Sequence, residues 1–334
     1  MSIYSWAALE PGAELQEYHY APAPLGPWDG EVEITHCGIC HSDIHLIDND
    51  WKMTSYPFVP GHEIIGEVVT LGDRVSHLKR GDRVGIGWQH SACLECGFCR
   101  QGEENLCSAQ TATCVGRPGG FAHKIRADAR FAFRLPKELS SERAAPLLCG
   151  GATVYSPFIQ HQVKPTWRVA ILGIGGLGHL AIQFASRMGC EVTAISSHAD
   201  KAAEAAQYGA HHFLCSKERS SLQQAFGTFD FILSTTPGEV DWNVYVKLLR
   251  PKGILCQVGA INGQVTLPFM EFLSQRKQFC GSNIASRPDM EQMLLFAARH
   301  DLGAEIELFP LQQVNEAIQK VRSGAIRYRA VLFN

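Results

Sequence analysis

The sequence predicts an α/β chain in two parts, a mostly-β region and a doubly wound parallel sheet, and three observations carry that expectation. Its 334 residues are about twice the length of a usual domain. From about Glu31 to Arg134, short β-branched or apolar runs such as "EVEITHCG", "IIGEVVTLG" and "DRVGIGW" are punctuated by Gly and Pro, the pattern of short strands and turns. From about Thr166 the rhythm changes to strand, glycine turn and helix, which builds a parallel sheet covered on both faces.

Within the second part, "WRVAILGIGGLGHLAIQFASRMGC" reads as an apolar strand, a glycine turn and a helix with Leu180, Ile182, Phe184, Ala185 and Met188 on its apolar side. Further short buried strands follow in "EVTAIS", "HHFLC", "DFILST", "GILCQVG" and "FCGSNI", separated by helix-length segments such as "ADKAAEAAQYG". The last segment, "ELFPLQQVNEAIQKVRSGAIRYRAVLF", reads as a helix and a strand that need not extend that sheet. "APAPLGPWDG" near the N-terminus is a loop.

Composition narrows the function. A net charge of -3 with no basic run gives no electrostatic footprint for nucleic acid or an anionic membrane. The first residues, "MSIYSWAALEPGAELQEY", lack a positive segment followed by an apolar stretch, and the sequence contains no run of about 18 apolar residues. A cytoplasmic protein acting on a small molecule is the expectation. Its twelve cysteines are then metal ligands and small apolar residues rather than disulfides. The same compartment argues against reading "CGICH" as a covalent haem attachment.

"GIGGLG" spans Gly173, Gly175, Gly176, Leu177 and Gly178 as G-x-G-x-x-G between a strand and a helix. The first glycine permits the tight turn, the second lets backbone approach a pyrophosphate, and the third lets helix pack on strand. A helix N-terminus then offers free N–H groups to the phosphates. The next strand runs into Ser196, Ser197 and His198 with no carboxylate at its tip. An acid there would bind both ribose hydroxyls of NAD, whereas small hydroxyls with Lys201 accept a 2′-phosphate. NADP(H) is therefore favoured, with Asp200 as a displaced ribose acid the alternative.

Cys93, Cys96, Cys99 and Cys107 form C-x2-C-x2-C-x7-C in one polar loop. Four thiolates enclose one zinc with no open position, and the long last gap departs from a ferredoxin-type cluster. Cys40, His62 and Cys149 are far apart in the chain, yet two thiolates and an imidazole would leave a fourth position open, the arrangement of a catalytic zinc. Each also has a plainer reading, His62 as a hydrogen-bonded core histidine and Cys149 as a small buried residue. Cys37 reads as a small packing residue.

"CGICHSDIH", "PGHEIIGEV", the four-cysteine lobe, "LLCGG" and "GIGGLGH", in that order, resemble the zinc-dependent medium-chain alcohol dehydrogenases. Within that superfamily the whole chain is most similar to the cinnamyl alcohol dehydrogenases and the bacterial NADPH-dependent broad-specificity aldehyde reductases. The resemblance implies a GroES-like, mostly-β catalytic domain over residues 1–151 and 286–334, with a structural zinc lobe at about 90–110, and a Rossmann domain over 152–285. It implies two zinc ions per chain, NADP(H), and a homodimer or homotetramer.

Carried over by motif, Cys40, His62 and Cys149 match the catalytic zinc ligands and Glu63 an acid beside the metal. Asp43 matches the carboxylate that orients the ligand histidine. Ser42 and His45 match a proton relay, His41 a pyrophosphate contact that is often Arg in the family, Thr153 a residue on the nicotinamide, and Arg327 a terminal arginine that reaches the phosphates. Trp51, Tyr56, Phe58 and Trp88 are candidate pocket walls suited to flat or apolar aldehydes, or else core residues. The implied activity is reversible reduction of aldehydes to primary alcohols with NADPH. A polyol or sugar dehydrogenase on the same fold, and a non-catalytic NADP(H)-binding zinc protein, are the rivals.

Overall fold

The computed structural model describes residues 2–238, 240–260 and 263–334. The chain divides into two compact units, Met1–Ala152 with Ala285–Asn334, and Thr153–Ile284.

In the first unit, strands run side by side in the order Ile306–Pro310, Arg329–Phe333, Asp29–Ile39, Glu63–Leu71, Arg83–Ile86 and Ala132–Arg134, with Lys124–Asp128 also paired to Asp29–Ile39. Only the first of these pairs is parallel. The long strand Asp29–Ile39 carries two register shifts against Glu63–Leu71, at Glu31/Val32 and Ile34/His36. Such bulges bend a strand and increase its local twist. Val32, Ile34, Ile39, Ile64, Val68 and Phe121 are buried together in the resulting core.

The C-terminal segment completes this sheet. Helix Val314–Ser323 buries Val314, Ala317, Ile318 and Val321, the spacing of one helical face. It stops where Gly324 takes the left-handed conformation, at φ +68°. Arg329–Phe333 then lies antiparallel to Asp29–Ile39, which brings residues about 290 positions apart into one ladder.

The second unit is a six-stranded parallel sheet in the order His212–Cys215, Glu191–Ser196, Arg168–Leu172, Phe229–Ser234, Leu249–Gln257 and Gln278–Gly281. Numbered along the chain, that order is the 3-2-1-4-5-6 of the doubly wound dinucleotide-binding fold. The first strand leads through the glycine turn into helix Gly178–Arg187, which buries Leu180, Ile182, Phe184 and Ala185. Met188 lies just beyond the last helical residue and is only half-buried. Among the described residues no helix is long and apolar enough to cross a membrane.

Candidate functional site

Cys40 caps the N-terminus of helix His41–Asp48, and His62 directly precedes strand Glu63–Leu71. Cys149 follows the short turn Ala145–Leu148. Donor atoms of Cys40, His62, Glu63 and Cys149 all lie within 4.8 Å of one another. Asp43 fastens two of these segments together. Its Oδ2 accepts from the Cys40 backbone N–H at 2.9 Å, and its Oδ1 accepts from the Gly61 N–H at 3.0 Å and from His62 Nδ1 at 2.9 Å.

The tautomer of His62 follows from this contact. A carboxylate only accepts, so Nδ1 carries the proton and Nε2 presents its lone pair. That Nε2 is buried and has no hydrogen-bond partner. An unpaired imidazole nitrogen facing two thiols fits a thiophilic cation better than a packed core histidine, which would be satisfied. The Cys149 thiol, followed by His62 and Arg329, holds Cys40 well below the ordinary thiol range, so the pair supplies one thiolate readily.

Glu63 is fully buried, and burial pushes its carboxyl up to about 7 despite the guanidinium of Arg329 beside it. Arg329 Nη2 donates to both Glu63 oxygens, at 2.6 and 2.5 Å, and to the Ile39 carbonyl at 3.2 Å. These groups sit on three adjacent strands, with Gly38 opposite Glu63 in the ladder. A Cβ at Gly38 would lie 2.1 Å from Glu63 Oε2, so only glycine leaves the carboxylate its path to Arg329.

Ser42 and His45 stand three residues apart on helix His41–Asp48 and share a face. His45 Nδ1 donates to Asp50 Oδ2 at 2.7 Å, which leaves Nε2 as its exchanging nitrogen. The ring stacks on Trp51 with centroids 5.1 Å apart. Trp51 meets Trp88 edge-on at 6.3 Å, and Trp88 meets His62 edge-on at 4.9 Å. These two indoles therefore stand beside the cluster. Tyr56 instead commits its hydroxyl to the Ile47 carbonyl at 2.8 Å. Phe58 is 4% exposed within the unit's core and its backbone pairs with Ala8, which favours the core reading of this residue over the pocket wall.

The four-cysteine loop also converges, with Cys93, Cys96, Cys99 and Cys107 thiols within 4.8 Å of one another. Backbone N–H groups of Glu95 and Cys96 point at Cys93 Sγ, at 3.5 and 3.3 Å, and lower its thiol to about 6. Glu104, buried inside the lobe, accepts from Arg287 Nε and Nη2 at 2.9 and 2.7 Å, which ties the lobe to helix Arg287–Arg299. Cys37 is buried in the core, its thiol 3.6 Å from the Gly38 carbonyl.

In the dinucleotide unit, Gly173 has φ +93°, and a Cβ at Gly178 would lie 1.9 Å from the Gly173 carbonyl oxygen. At Gly175 a Cβ would meet nothing within 4 Å, so the backbone there is open to an approaching group. Thr235 Oγ1 braces the turn by donating to the Leu172 and Gly173 carbonyls at 3.1 and 3.2 Å. Lys201 Nζ donates to the Ile174 carbonyl at 2.6 Å, which holds the ammonium at the glycine turn. Ser196 is buried at the strand's end and Ser197 is exposed. His41 is exposed, and Thr153 lies in helix Gly150–Gln160. Arg327 is exposed, with its backbone N–H on Glu307 Oε1 at 2.8 Å, and the arginine at the cysteine and histidine cluster is Arg329.

Sequence reading missed Arg329, Asp50 and Cys114, whose thiol groups with Asp43 and His62. An arginine opening the otherwise apolar strand "RAVLF" was the signal for the first.

Residues 26–137 match the alcohol dehydrogenase GroES-like domain, and residues 176–299 match the zinc-binding dehydrogenase domain. The chain is 42% identical over 330 residues to an aldehyde reductase of Synechocystis, covering 99% of this chain and 98% of that one. It superposes on a cinnamyl alcohol dehydrogenase from Sorghum bicolor with a TM-score of 0.95 at 35% identity, covering 100% of this chain and 98% of that one. A cinnamyl alcohol dehydrogenase from Helicobacter pylori, solved with NADP(H), gives a TM-score of 0.90 at 30% identity over 100% and 98% of the two chains. This chain belongs to the zinc-dependent medium-chain alcohol dehydrogenases, in the group of cinnamyl alcohol dehydrogenases and bacterial aldehyde reductases.

Proposed function

We propose that the chain reduces aldehydes to primary alcohols with NADPH, reversibly, at a zinc held by Cys40, His62 and Cys149. The observation that carries this reading is the buried, unpartnered His62 Nε2 beside two cysteine thiols. When bound, zinc supplies Lewis-acid polarisation of a carbonyl oxygen, and NADPH supplies the hydride.

The chain's own residues do the rest. Asp43 fixes the His62 tautomer and ring, and adds to the basicity of Nε2. Arg329 holds both oxygens of Glu63, so this carboxylate would not be free to join Cys40, His62 and Cys149 in holding the ion. Ser42 Oγ gives a proton to the developing alcohol oxygen, and His45 Nε2 passes the replacement from solvent while Asp50 steadies Nδ1. Trp51 and Trp88 form apolar walls beside this path, which favours flat or long apolar aldehydes over polyols.

The cofactor reading rests on the open backbone at Gly175, on the absence of an acid at the end of strand Glu191–Ser196, and on Lys201 at the turn. His41, Thr153 and Arg327 are proposed as further cofactor contacts, and Cys93, Cys96, Cys99 and Cys107 as the closed structural zinc site. A homodimer or homotetramer, on the family resemblance alone, and a cytoplasmic location, on the character of the first residues, complete the proposal.

Initial rates on aliphatic, aromatic and hydroxylated aldehydes, with NADPH and NADH in parallel, test this function. NADPH-dependent turnover, fastest with apolar aldehydes, is expected. Preference for secondary polyol alcohols would favour the sugar dehydrogenase reading, and no turnover by the zinc-loaded chain would overturn the proposal.

A further inference from the structure

The dinucleotide unit contains a second cluster of metal-binding residues. Strands Leu249–Gln257 and Gln278–Gly281 are parallel neighbours, and Cys256 stands directly opposite Cys280 in their register. Partners in register project from the same face of a sheet, so the two thiols meet. His161, just past the end of helix Gly150–Gln160, brings its Nε2 to 3.3 Å from Cys280 Sγ. All three donor atoms lie within 4.8 Å of one another. Cys256 is fully buried, while Cys280 and His161 are half-buried, so the cluster has a closed side and a side within reach of solvent.

We propose that His161, Cys256 and Cys280 form a third zinc site, with two thiolates, one imidazole and a fourth position open to solvent. The separations suit the ion. Zn–S bonds of ~2.3 Å and Zn–N bonds of ~2.0 Å in a tetrahedron put these donors about 3.5–3.8 Å apart, and the sulfur to nitrogen contact of 3.3 Å needs only a small outward shift to reach that spacing. Charge also suits it. Two thiolates neutralise a divalent cation, so the complex carries no net charge into a half-buried site.

The donor chemistry selects the metal, since thiolate with imidazole favours zinc and has no appeal for calcium or magnesium, which take oxygen. The cluster is already compact, with His161 Nε2 set against Cys280 Sγ. The scaffold around it is braced, because Ser282 Oγ donates to Gln160 Oε1 at 3.4 Å and joins the two segments that supply His161 and Cys280. Packing alone would call for one small apolar side chain at each cysteine position. It gives no reason for an imidazole nitrogen to close on a thiol.

The test uses the full chain, kept reduced and incubated with excess Zn2+, then exchanged against a competing chromophoric chelator. Three tightly held zinc ions per chain are expected, against two in Cys280→Ser, with dissociation from the third site weakened at least ~100-fold by loss of a thiolate. Cadmium-113 NMR of the cadmium-exchanged protein should lose one resonance in that variant and retain the other two, which also reports that the remainder is folded. His161→Gln keeps both thiols and gives the same count if Cys280→Ser does not fold. Two zinc ions in the unsubstituted protein, the same count in all three proteins, or a Cys256–Cys280 disulfide with only two zinc ions bound would overturn the proposal.

Discussion

Arg329→Met removes the guanidinium that holds Glu63 beside Cys40, His62 and Cys149. Both side chains are buried, at 6% and 0% exposure, and their contacts are short at 2.6 and 2.5 Å. Removing one partner of such a pair costs about 3–5 kcal/mol, because the other charge is left without compensation. In a unit of this size that corresponds to a melting temperature lower by roughly 6–20 °C. Burial already raises Glu63 to about 7 with Arg329 present, and losing Arg329 raises it further. A carboxyl whose folded value is raised contributes stability that is present below its unfolded value and lost as pH rises through the folded one. The deficit of the variant should therefore be small near pH 5 and grow through pH 7 to 8.

The assay is thermal unfolding followed by tryptophan fluorescence at constant zinc, across that pH range. Glu63→Gln/Arg329→Met should lose at least ~2 kcal/mol less than the sum of its single variants, since neither charge of the pair remains. A deficit below about 1 kcal/mol at pH 8 would contradict this expectation, since breaking a buried pair costs several times that. A deficit independent of pH would refute it equally.

Three further outcomes are expected. Asp43→Ala should weaken zinc at Cys40, His62 and Cys149 ~10–100-fold in chelator competition, because His62 loses the acceptor that fixes its tautomer; unchanged affinity would remove Asp43 from its orienting role. Gly38→Ala should displace the Glu63 carboxylate from Arg329, since the added Cβ would stand 2.1 Å from Oε2. Its thermal deficit should then be far smaller in a Glu63→Ala background, and an equal deficit in both backgrounds would contradict the close-approach argument. Lys201→Ala should raise KM for NADPH ~10–100-fold, the scale of one charge-assisted hydrogen bond, and leave NADH nearly unaffected. Equal effects on the two cofactors would assign the lysine to the turn's structure alone.

The features legible in the sequence were those written in contiguous residues. The four cysteines and the glycine turn lie within short segments, so spacing alone limits what they can build. Strand and helix alternation likewise revealed the parallel sheet, because each element's periodicity is local. Arg329 and Glu63 are 266 positions apart, and only the antiparallel return of the last strand brings them together. Nothing local in "AIRYR" says which arginine turns inward. Phe58 shows a similar limit, since an aromatic residue near a ligand segment suits a core and a pocket equally until its neighbours are known. His161, Cys256 and Cys280 come from separated segments that each read as ordinary helix or strand.

The function proposed above requires one zinc held between two sulfurs and an imidazole in the mostly-β unit. X-ray data from crystals of the zinc-loaded chain, collected on either side of the zinc absorption edge, test it directly. An anomalous peak bonded to Cys40 Sγ, Cys149 Sγ and His62 Nε2 is expected. A peak at the four-cysteine lobe with none among those three atoms would contradict it.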